Sequence, residues 1–149
     1  MNYKYYLATT ALSELWDIEA DLILLGPWCL TKNSLKNLPE GKHYNIAESP
    51  WYPTIQRINA LTYCEQLIEK IMHALSNKMN LIHNVDYPEK YWRILLGSWL
   101  SHFVFIYYDR YVRLKKALET CPEFYTSVLP KEKCNPVSYC VEDYLFGLN

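Results

Sequence analysis

The side chains best equipped for chemistry in this 149-residue chain surround one uncharged stretch. Ile94 to Tyr108 reads ILLGSWLSHFVFIYY, where His102 is the only ionisable group besides two tyrosines. Arg93 precedes it, and Asp109, Arg110 and Arg113 follow it. On a helix, His102, Ile106, Asp109 and Arg113 fall at steps of four, three and four and share one stripe. A guanidinium offers paired donors to carboxylates or phosphates, and an imidazole titrates near neutral pH. The stripe therefore suits an anionic or hydroxylated ligand. A structural role is the simpler reading, because Asp109 and Arg113 stand at i,i+4 and can form an ion pair.

Other chemistries find less material. His43, His73, His83 and His102 never pair at helical ligand spacing, and no HExxH motif or Cys/His cluster exists, so no metal is expected. With 4 glycines the chain has neither a GxSxG elbow nor a glycine-rich phosphate loop. Cys29, in Gly26-Pro-Trp-Cys29, could serve as a nucleophile if a histidine reached its sulfur, and an ordinary buried thiol is the simpler role. Trp16, Trp92 and Trp99 fit a core. Trp28 and Trp51 fall in a predicted loop, where an indole face could stack on a sugar ring.

These residues need a scaffold, and the sequence predicts an α/β one. Residues 3–8 read as a strand and Ala11 to Trp16 as a short helix, with Thr9 or Thr10 as its cap and Glu14 in its first turn. Asp21 to Leu25, halted by Gly26-Pro27, is apolar on both faces, as in a parallel sheet. Residues 26–53 carry Pro27, Pro39, Gly41, Pro50 and Pro53 and read as a long loop, either a binding segment or a plain connection. Thr54 to Asn84 is the clearest helix, with Leu61, Cys64, Ile68, Ile71, Leu75, Met79 and Ile82 on one stripe. Asp86 and Glu89 form a capping-box pattern ahead of a second helix from Pro88 to Glu119. That helix is apolar nearly all round in its middle and is expected inside the protein. The short turn between the two predicts an antiparallel hairpin. Phe124 to Leu129 reads as a third strand, Pro130 to Pro136 as a loop, and Val137 to Phe146 as a last short helix. The expectation is one domain over 1–149, with a small parallel sheet of about three strands and a long antiparallel helical hairpin.

Composition narrows the partners. Hydrophobic residues make up 50% and charged ones 21%, ordinary for a globular domain with a real core. The 15 basic and 16 acidic residues are interspersed, which gives no footprint for nucleic acid and no polybasic membrane anchor. The start lacks the apolar region of a signal peptide, and five cysteines without CxxC spacing suit reduced thiols in the cytoplasm. Ile94 to Tyr108 would cover roughly 22 Å, short of the ~30 Å hydrocarbon core. No transmembrane segment is expected.

The opening Tyr6-Leu-Ala-Thr-Thr-Ala-Leu…Trp16, followed by Leu22-Ile-Leu-Leu-Gly26-Pro-Trp-Cys29, resembles the start of transferases of bacterial O-antigen and surface-carbohydrate gene clusters. Tyr91-Trp-Arg-Ile-Leu-Leu-Gly-Ser-Trp-Leu100, continuing to Tyr107-Tyr-Asp-Arg-Tyr111, is similar to that family's most recognisable helix. Phe124 to Leu129 and Asp143 fall where the family also has a strand and an acidic position.

This resemblance implies sugar transfer onto a surface glycan or its lipid-linked precursor. It implies an incomplete Rossmann-like, acceptor-side amino-terminal domain of a two-domain glycosyltransferase, cytoplasmic and peripheral to the inner membrane. Family members are several times longer, so the chain is expected to be a fragment, inactive alone and without a cofactor of its own. The nucleotide-sugar donor would belong to a missing carboxyl-terminal domain. Matching positions are Gly26, Trp28, Cys29, Arg93, Trp99, Asp109 and Arg110. Trp28, Arg93 and Arg110 are the expected substrate contacts. His102 and Asp109 are the candidate catalytic groups, since a carboxylate or imidazole can deprotonate an acceptor hydroxyl. The alternative is a non-catalytic interaction module built on the helical hairpin, which a large exposed apolar face would mark.

Overall fold

The computed structural model describes residues 5–121 and 123–129. The chain divides into two compact units, Met1–Ser49 with Arg113–Asn149, and Pro50–Val112.

The first unit holds strands β1 (Tyr5–Ala8), β2 (Asp21–Leu24), β3 (Tyr44–Ile46) and β4 (Phe124–Tyr125), and the short helix α1 (Lys32–Lys36). The sheet runs β3-β2-β1-β4, and all three pairings are parallel. Tyr5 stands opposite both Asp21 and Phe124, and Leu22 opposite Tyr44. Alternating side chains serve both faces, as a doubly covered sheet requires. Tyr6, Ala8, Leu22 and Leu24 pack with Trp16, Cys29 and Tyr125 on one side. Leu7 and Leu25 pack with Ile23, Phe124 and Ala117 on the other.

Three expectations change in this unit. The sheet has four strands among the described residues, because β3 and α1 both arise within the segment read as a loop. Thr31 caps α1 in a reciprocal box with Ser34, whose hydroxyl also donates to the Cys29 carbonyl at 2.7 Å. The predicted helix from Ala11 to Trp16 is a single 3-10 turn, Ser13–Leu15, though Thr10 Oγ1 does accept the Leu12 N–H. Of the predicted third strand, Phe124 and Tyr125 pair with β1. The loop and helix predicted from Pro130 to Phe146 lie outside the described residues.

The second unit is a helical hairpin of α2 (Thr54–His83) and α3 (Glu89–Thr120), the latter contributing its residues through Val112. Asn84 ends α2 in the left-handed region at φ 52°, and its N–H reaches the Asn80 and Leu81 carbonyls. Asparagine is among the few side chains that take this conformation readily. The seam joins Cys64, Ile68 and Met72 of α2 to Leu100 and Val104 of α3. Buried α2 residues recur at steps of four, ending at Ser76, so the true stripe includes Met72 and leaves Leu61 and Ile82 exposed. Helix α3 is not enclosed as its composition suggests: Ile94 is 75% exposed and Leu95 56%. No helix among the described residues is long and apolar enough to cross a membrane.

Candidate functional site

In the sheet unit the carboxyl ends of β1 and β2 carry Thr9-Thr10 and Gly26-Pro27-Trp28. In open parallel sheets this is the edge where ligands lie. The 3-10 turn Pro27–Cys29 folds Trp28 back over Gly26, and its indole N–H donates to the Thr9 carbonyl at 3.2 Å. A Cβ at position 26 would stand 1.9 Å from a Trp28 ring carbon, so only glycine fits. The Arg113 guanidinium lies 5.1 Å from the Trp28 ring centre, within cation–π range. Cys29 is fully buried and its thiol donates to the Ala8 carbonyl at 3.4 Å, the arrangement of a structural thiol. Across the sheet, the Tyr125 hydroxyl donates to the Asp17 carboxylate. That bond, with the Glu19 N–H, holds Asp17 below its ordinary pKa.

In the hairpin unit a recess of about 160 Å³ opens between the two helices, lined mainly by apolar and aromatic groups. Asp109 and Arg57 are its charged members. The Trp51 indole donates to Asp109 Oδ1 at 2.7 Å, and Arg110 donates to Asp109 Oδ2 at 2.9 Å. Tyr108 stands between Trp51 and Tyr63, with ring centres 6.4 and 5.2 Å away. Burial pushes the Tyr108 hydroxyl above its usual pKa, and it does the same to the Cys64 thiol. The result is an aromatic wall beside an oriented carboxylate.

The candidates are distributed rather than gathered. Asp109 and Arg110 are together, and His102 lies two turns earlier on α3, exposed, with Nδ1 2.7 Å from the Ser98 carbonyl. Arg93 is sixteen residues before Asp109, about 24 Å along the helix. It forks onto both Glu69 oxygens at 2.6 and 2.7 Å and reaches Glu89 at 2.7 Å. Glu89 also meets His73 at 3.1 Å, so its carboxylate joins the two helices. Trp28 belongs to the sheet unit, beside Arg113. The partnership of Trp51 with Asp109 spans 58 positions, and no local spacing signals it. Arg57 and Tyr108 also line the recess, and no local spacing signals them either; Asp109 and a tryptophan in a proline-rich segment are the hints.

Among the described residues no group of three or more His, Cys, Asp or Glu could hold a metal ion. No curated protein and no solved structure matches the chain. The family model described as LIC12162 family transferase matches residues 5–149, which takes in the strand ends, the Trp51 recess and the whole hairpin. The chain therefore belongs to the LIC12162 family of transferases.

Proposed function

We propose that the chain forms the acceptor-side domain of a glycosyltransferase that builds a surface polysaccharide of the O-antigen kind at the cytoplasmic side of the membrane. The observation that carries this reading is the sheet order β3-β2-β1-β4. From the inner strand β1 the chain leaves toward β2 on one side and returns at β4 on the other. Such a reversal of strand order supports reading the sheet as a Rossmann-like half, in which ligands enter at the strand ends beside the switch point. The family's transferase chemistry supports it. In the hairpin unit, the rings of Trp51 and Tyr108 offer faces to a sugar, and Asp109, oriented by Trp51 and Arg110, accepts from an acceptor hydroxyl. His102 is the second candidate base on the same helix.

Saturation-transfer NMR of the chain with oligosaccharides and with nucleotide sugars tests the proposal. Saturation is expected on oligosaccharide protons and is lost in Asp109→Asn. Nucleotide-sugar turnover is expected to be undetectable, since the sequence has no phosphate-cradling loop. Turnover by the chain overturns the acceptor-side assignment, and silence from every oligosaccharide overturns the glycosyl one. The open face of α3 favours a second reading, a non-catalytic interaction module.

A further inference from the structure

The outward side of α3 lacks a partner among the described residues. Tyr91, Ile94, Leu95 and Trp99 follow helical steps of three and four and are 41, 75, 56 and 37% exposed. Tyr87, 44% exposed, extends the stripe, with its ring 4.4 Å from that of Tyr91. Ser98 and His102, also exposed, complete its surface. From Ile94 to Tyr108 no Asp, Glu, Lys or Arg interrupts. A contiguous apolar strip of several hundred Å² is often a site of interaction.

We infer that this stripe is the contact between two copies of the chain, paired through α3 about a two-fold axis. Charge supports a second copy as the occupant. An uncharged strip demands an uncharged partner, and the same strip on another copy supplies one, as an isologous contact requires. Its flanks are mixed in sign, with the Glu69–Arg93–Glu89 group and Lys90, which follows Glu89 in sequence, and offer no basic rim for an anionic bilayer. Area agrees. With 150–250 Å² for a large aromatic, and somewhat less for Ile and Leu, the exposed fractions amount to about 500 Å² per copy. Two copies would bury about 1,000 Å², the lower limit for a specific interface, so the pair is of moderate affinity. Three aromatic anchors, Tyr87, Tyr91 and Trp99, and a branched aliphatic centre are the composition of an interface core. The inference stands independently of the glycan reading.

Sedimentation velocity across the micromolar range tests it. A concentration-dependent monomer–dimer equilibrium is expected. Substituting Ile94→Lys together with Leu95→Lys should leave monomer at every concentration with an unchanged circular dichroism spectrum. Because added charge can disturb more than a contact, the pair Ile94→Ala and Leu95→Ala gives a second readout, with dissociation expected to be at least about tenfold easier. Monomer throughout, or a dimer indifferent to both pairs, overturns the inference. Co-sedimentation of the unsubstituted chain with lipid vesicles, lost in the lysine variant, would assign the face to lipid and overturn it as well.

Discussion

Gly26 shows how one residue's identity is set by a neighbour's bulk. Its φ of −172° is extended backbone that any residue adopts. The restriction comes from the Trp28 ring, whose nearest carbons stand 1.9 and 2.2 Å from where a Cβ would go. In Gly26→Ala the indole must leave, and with it go the bond to the Thr9 carbonyl and the stack against Arg113. Overpacking of this kind costs about 1–3 kcal/mol. Urea unfolding should show that loss, with a red shift in tryptophan emission. The same substitution in a Trp28→Ala background should cost much less, because the two effects are coupled. From sequence, Gly26-Pro27 reads as a strand terminator, which it is. The ring that demands glycine became visible with the turn that folds it back.

At the scale of elements, the hairpin shows what periodicity reveals and what it conceals. The bounds of α2 and α3 follow from the apolar steps, the left-handed Asn84 and the first-turn Glu89. The inward face of α2 was legible to within a small rotation, corrected once α3 selects the row at steps of four. Strand β3 was not legible, because all three of its residues are exposed at a sheet edge and lack the apolar pattern of a buried strand. Polar groups also tie α2 to α3. Arg93 holds Glu69 and Glu89 below their ordinary pKa, chiefly through its hydrogen bonds to them. Groups depressed in the folded state add stability that is fully present above their unfolded pKa, near 4.3, and is lost as pH falls through the folded value. Arg93→Ala should therefore lower the thermal midpoint at neutral pH. The gap from the unsubstituted chain should close below about pH 4. A gap that is constant across that range would assign Arg93 a packing role instead.

Across the whole molecule, the class of fold was readable and the grouping of candidate residues was not. The run Asp21 to Leu25, apolar on both faces, predicts a parallel sheet, and side chains of β1 and β2 are buried on both sides of it. The polar candidates on α3 share a helix, and that suggested a shared site. A helix rising 1.5 Å per residue separates Arg93 from Asp109 however well their side chains align. What the recess actually contains came from Trp51, far away in the chain. The parallel pairing of β1 with β4 has a further consequence, for the order of assembly. Tyr5 pairs with Phe124 across more than a hundred intervening residues. Closing so wide a gap in a disordered chain costs about 4 kcal/mol in entropy, and a preformed α2–α3 rod shortens the distance to be closed. Stopped-flow circular dichroism with pulsed hydrogen exchange should find helical amides protected first and those joining β1 to β4 last, in keeping with the slow formation of long-range parallel contacts.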